Sequence, residues 1–224
     1  MSGSASITAA PEAVWMPSGW IFDDALERLA VAVPAEAEML EETIASNGAL
    51  ALDLRALPAE RFAALATAAR AAVRDVIDAG PEPGEDPSWF APQVYGLSLF
   101  AGLLNADPRA GEEPPAGQIE VAPGAVWHAP GRAYALIAEH LAGDIRPTSG
   151  LLAGSLLHGD ADLGRLDEDR FRAFLPGLDF MATRYVPGAN LDAFADAFFA
   201  EIAPHVAALR DLFAADPRTA ARSR

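Results

Sequence analysis

Between Leu57 and Gly80 the apolar residues Phe62, Leu65, Ala69, Val73, Val76 and Ile77 recur three and four positions apart, with Pro58 near the start and Gly80 just past the end. That period predicts an amphipathic helix with one stripe turned to the core. A second stripe, Leu191, Phe194, Phe198, Ile202, Val206, Leu209 and Phe213, predicts another, which Pro204 is expected to kink or divide. Shorter helical patterns occupy 22–33, 35–46 with Gly48 as a stop, 88–105, and 131–142 with Gly143 as a stop. In "LDEDRF" Asp167 reads as an N-cap, Glu168 and Asp169 as the acidic first turn, and Leu166 as stapled to Phe171. Period-two or β-branched patterning marks strands at 49–54, 118–122 and 180–186, the last before the turn "PGAN".

These patterns give a helix-dominated α+β single domain with a small sheet, an all-α arrangement being the alternative. Residues 1–21 are expected to be an irregular N-terminal segment, 22–216 the globular domain and 217–224 a tail. The segments 80–88 and 107–117, rich in Pro, Gly and acids, read as loops, and the second is the place for a sub-boundary. No internal repeat or heptad array is evident on inspection.

Composition narrows the chemistry. With 51% apolar residues in 224, the chain can bury a sizeable core. Its 32 acidic against 16 basic residues give a formal charge of −16, a field that repels phosphate backbones and anionic lipid and attracts a basic protein. Neither nucleic acid nor membrane is therefore expected as a partner. All the basic residues are arginine, and cysteine is absent. Schiff-base lysines, phosphate-loop lysines, thiolate nucleophiles and thiolate metal sites are excluded together. The N-terminus lacks the basic and apolar regions of a secretory signal, so a cytoplasmic location is expected. Twenty uncharged residues separate Asp86 from Asp107, but their prolines and acidic flanks favour a buried soluble element over a membrane span.

Candidate sites are few. "HGDADLG" offers His158, Asp160 and Asp162 as ligands for a divalent metal, against the alternative of an Asx-type turn. Phe171 stands where an EF-hand needs a bidentate Glu. His128 beside Trp127, in the Gly- and Pro-rich "APGAVWHAPG", reads as a loop binding pair, with Trp89 and Tyr95 as further aromatic anchors. Glu139 and His140 close a predicted helix, where a cationic imidazole would suit the helix dipole, and His205 edges an apolar stripe. Ser98 in "GLSLF" lacks the second glycine of a nucleophile elbow. No catalytic residue is assigned and no cofactor is expected. The leading expectation is an acidic cytoplasmic protein–protein interaction module, a neutraliser or adaptor of the kind that immunity proteins of bacterial toxin systems illustrate. The alternative is a small metal- or His/Asp-dependent enzyme or a small-ligand-binding protein, recognisable by a pocket lined with titratable groups.

Overall fold

The computed structural model describes residues 3–9, 12–46, 51–81, 84, 87–188 and 193–220. Gly48, the first residues of the 49–54 strand, the end of the 187–190 turn and Leu191 lie outside these. The fold is α+β and dominated by helix.

Strands Ala5–Ala9 (β1) and Glu12–Trp15 (β2) pair antiparallel, and Leu52–Asp53 (β3) joins the other edge of β1 in parallel. Much of the N-terminal segment is therefore regular, at 5–9, 12–15 and 19–21. Ala5 and Ile7 of β1, with Ala13 and Trp15 of β2, alternate into the core, a period-two pattern too short and too alanine-rich to stand out in the sequence. Gly19–Ala32 (α1) and Ala37–Ala45 (α2) connect β2 to β3; Ala59–Ala79 (α3) and Phe90–Ala106 (α4) follow, closed by a 3-10 turn at Pro108–Ala110.

The same series then runs again. Gly117–Ala122 (β4) and Ala125–Ala129 (β5) form an antiparallel pair, and Asp160–Asp162 (β6) adds to β4 in parallel. Gly131–Ile145 (α5) and Gly150–Leu157 (α6) lie between, and Glu168–Arg172 (α7), Leu175–Arg184 (α8) and Ala193–Ala215 (α9) follow, closed by a 3-10 turn at Pro217–Thr219. Contrary to the expectation from inspection, the chain contains an internal repeat, in which α7 and α8 together stand where α3 stands in the first half.

Side chains mark the repeat more sharply than the element order does. Asp107-Pro108-Arg109 and Asp216-Pro217-Arg218 sit 109 positions apart, and so do Leu54 and Leu163, Leu57 and Leu166, and Phe62 and Phe171. The Arg109 guanidinium donates to the carbonyls of Leu54 (3.0 Å), Leu57 (3.1 Å) and Ile7 (2.8 Å), forks onto Asp107, and lies 3.9 Å over the Phe62 ring. Arg218 donates to Leu163 (2.8 Å), Leu166 (3.0 Å) and Val121 (2.7 Å), forks onto Asp216, and lies 3.7 Å over Phe171. Each arginine thus plugs the seam between a sheet edge and the following helix, donating to one strand carbonyl and to carbonyls of the turn that follows β3 or β6. Residues 217–219 are accordingly a structural closure and not a tail.

The two halves share one continuous hydrophobic cluster. Helix α4 lies against α3 of its own half and against α5 of the other. Gly143 does not stop α5, which runs on to Ile145; a Cβ there would meet Val94 Cγ1 of α4 at 2.7 Å, so glycine is what allows the two helices to approach. Residues 180–184 are helix and not strand: Pro176 opens α8, and Gly177, Leu178 and Met181 form its buried stripe, which overrides the β preference of its aromatic and β-branched residues. Helix α9 continues through Pro204 undivided. Asp167 caps α7 as expected, its carboxylate accepting the Arg170 N–H at 2.9 Å. No helix among the described residues is long and apolar enough to cross a membrane.

Candidate functional site

A cavity of about 830 Å³ opens where the halves meet. The first half supplies the end of β2, the start of α1 and one face of α4; the second supplies α5, α8 and the start of α9. Most of its wall is apolar, with Trp15, Ile21, Leu99, Leu103, Phe180 and Phe199 prominent.

The polar groups come from three helices. On α5, His140 and Asp144 stand four residues apart and so share a face. On α4, the Tyr95 ring meets His140 edge-to-face at 4.8 Å and Phe180 at 5.0 Å. On α8, Phe180, Thr183 and Arg184 share a face by the same helical spacing; Phe180 stacks on His140 at 5.6 Å, and the Arg184 guanidinium lies 5.2 Å over Phe180.

Burial sets the protonation of this group. His140 is only 5% exposed and its Nδ1 has no hydrogen-bond partner, so desolvation depresses its pKa to about 3 and keeps the ring neutral. The cationic role expected at a helix end is thereby ruled out. Burial likewise raises Asp144 to about 6, and its Oδ2 also lacks a partner. That carboxyl occupies the space a Cβ on Gly177 would need, which fixes glycine in the first turn of α8. Tyr95 is raised by burial, an effect opposed by the Arg184 charge. Behind the wall Tyr185 is fully buried with an unpartnered hydroxyl, and burial raises it well above the ordinary phenol range.

Glu139, next to His140, faces the other way, toward a smaller cavity of about 180 Å³ lined also by Arg74, Tyr134 and His158. Burial raises its carboxyl to about 7 against the opposing charges of Arg74 and Arg70 and the Ser98 hydroxyl.

Of the residues singled out in the sequence, Tyr95 lies at the main cavity. Trp89 is 58% exposed and meets Trp20 edge-to-face at 5.8 Å. Trp127 and His128 are on β5 and not in a loop: Trp127 is buried, donating its indole N–H to the His205 carbonyl at 3.0 Å, while His128 faces outward opposite Gln118. His158 ends α6, and Asp160 and Asp162 lie exposed on β6. Asp160 accepts from the Gln118 side chain at 3.2 Å; Asp162 accepts the Gly164 N–H at 2.9 Å and pairs with Arg165 at 3.1 Å. Among the described residues no group of three or more His, Asp or Glu side chains is gathered to hold a metal ion. Sequence reasoning misses Asp144 because Gly143 reads as the end of its helix, and Phe180 and Arg184 because 180–186 reads as a strand; it reaches His140 only as a helix-end cation.

No protein-family model, curated protein or solved structure matches the chain.

Proposed function

We propose that this protein binds a small molecule in the cavity between its halves. The observation that carries the reading is the pairing of an apolar enclosure of about 830 Å³ with two polar side chains, His140 and Asp144, that hold unpartnered atoms. Ligand sites fall in this size range and combine apolar walls with a few placed polar groups. Buried polar atoms are rarely left unpaired without a functional reason.

The reading is tested by thermal denaturation and by the fluorescence of Trp15, which forms part of the wall, across a panel of small molecules. A true occupant raises the melting temperature, by the equivalent of about 2.7 kcal/mol at a hundredfold excess over Kd. It loses that effect in Leu99→Trp, which narrows the cavity and obstructs its apolar wall. A panel that leaves both proteins unmoved removes the reading.

A second reading, docking of a basic protein partner, has one observation in its favour. Met16 (74% exposed), Trp20 (38%) and Trp89 (58%) are exposed apolar residues of a chain with a charge of −16. Exposed Trp is a common binding anchor. Partner binding that weakens with salt and with Trp89→Ala, but not with Leu99→Trp, would select it.

A further inference from the structure

We infer that the cavity takes a hydroxylated aromatic monocarboxylic acid, its carboxylate at Arg184 in the mouth and its hydroxyl against His140 and Asp144 on the inner wall. The inference rests on the small-molecule reading above and specifies its ligand.

The mouth favours an anion for two reasons. Arg184 is exposed, and in a chain with twice as many acids as arginines no carboxylate among the described residues pairs with it; its guanidinium instead lies against the Phe180 ring. The first turns of α1, α4 and α8 also line the cavity, through Ser18 and Ile21, Ala91 and Pro92, and Pro176 and Gly177. None of the three has an acidic first-turn residue or a side-chain cap. These uncapped helix ends, and a guanidinium that no carboxylate among the described residues pairs with, favour an anion at the mouth.

The inner wall asks for a different group. His140 is 95% buried and neutral, Asp144 sits one helical turn away, and both side chains line the cavity. A hydroxyl both donates and accepts, so one such group can serve an imidazole and a carboxyl together. A second carboxylate there would meet Asp144 as a like charge. Between the two ends, the edges and faces of Tyr95 and Phe180, with Leu99, Leu103 and Phe199, suit a flat ring better than a flexible alkyl chain.

Calorimetric titration of the full chain near pH 7 with 4-hydroxyphenylacetate, phenylacetate, 4-hydroxyphenethyl alcohol and tyramine separates the assignments. The hydroxy acid is expected to bind tightest, and loss of either its carboxylate or its hydroxyl to weaken binding about tenfold or more. Arg184→Gln, at an exposed position, should abolish the preference for the acid over the alcohol. Asp144→Ala, which removes one of the two groups that meet the hydroxyl, should weaken the preference for hydroxy acid over phenylacetate. If the alcohol, the amine or phenylacetate binds as tightly as the hydroxy acid, or the Arg184 variant keeps the wild-type ranking, the inference fails while small-molecule binding stands. If none of the four binds, the inference fails, and the thermal panel with Leu99→Trp decides the broader reading.

Discussion

Arg109 and Arg218 each give up a hydration shell for a complete set of fixed acceptors: backbone carbonyls, a carboxylate two residues away and an aromatic face. The geometry is specific to a planar fork. Lysine keeps the charge but reaches as a point, so carbonyls such as those of Val121 and Leu166 lose the arginine's donors. Arg218→Lys is therefore expected to cost about 2–4 kcal/mol in urea denaturation, and Arg218→Ala at least as much, because Asp216 is then left buried without its partner. This level of detail was within reach of the sequence. "ADPR" occurs twice, 109 positions apart, and each copy lies the same distance after a D-L-x-x-L-x-x-x-R-F run. The repeat is masked in the sequence because the residues between these anchors differ, and α3 in one half corresponds to two shorter helices in the other.

Helices were legible wherever one face alone is buried, as in α3 and α9, because the 3.6-residue period then survives in the sequence. Where burial comes from several sides the pattern fades. In α5 nearly every residue from Ala133 to Ile145 is buried, and its last turn carries a glycine that reads as a stop but serves as a contact. Gly143→Ala tests this directly. Alanine should gain up to about 1 kcal/mol of helix propensity. The new methyl, however, would lie 2.9 Å from Val94 Cβ, an atom fixed to the α4 backbone. Overpacking of this kind costs about 1–3 kcal/mol, so net destabilisation in chemical denaturation is expected. A gain in stability would mean that α4 and α5 can separate without loss. The candidate site shows a related loss: a strand over 180–186 holds Phe180 and Arg184 about 13 Å apart, whereas the helix brings them within one turn on the cavity wall that His140 also lines.

At the scale of the molecule, charge and burial combine into a pH dependence. Asp107 and Asp216 lie below the ordinary carboxylate range. At Asp107, burial pushes upward and the Arg109 hydrogen bonds outweigh it; at Asp216, the Arg218 bond leads. Their stabilisation is present above that range and is lost as pH falls through their depressed values. His140, neutral down to about 3, also disfavours the fold as pH falls below its ordinary 6.5, since only the unfolded chain then takes up the proton. Asp144 and Glu139 act in the opposite sense. Raised to about 6 and about 7, they leave stability intact below ordinary carboxylate values and remove it as pH rises through their folded ones. Between about pH 5 and 6.5 two carboxyls oppose one imidazole, and the self-repulsion of an acidic chain adds to their side. Urea midpoints are thus expected to be higher near pH 5 than near pH 8. Glu139→Gln should make that decline shallower, and His140→Phe should make it steeper; a flat profile in wild type would contradict the burial of these groups.

Because neither half encloses the cavity alone, its volume lasts only while α4 stays docked on α5. A molecule seated there behaves as a keystone: touching both halves, it braces the seam, and the seam cannot part without losing it.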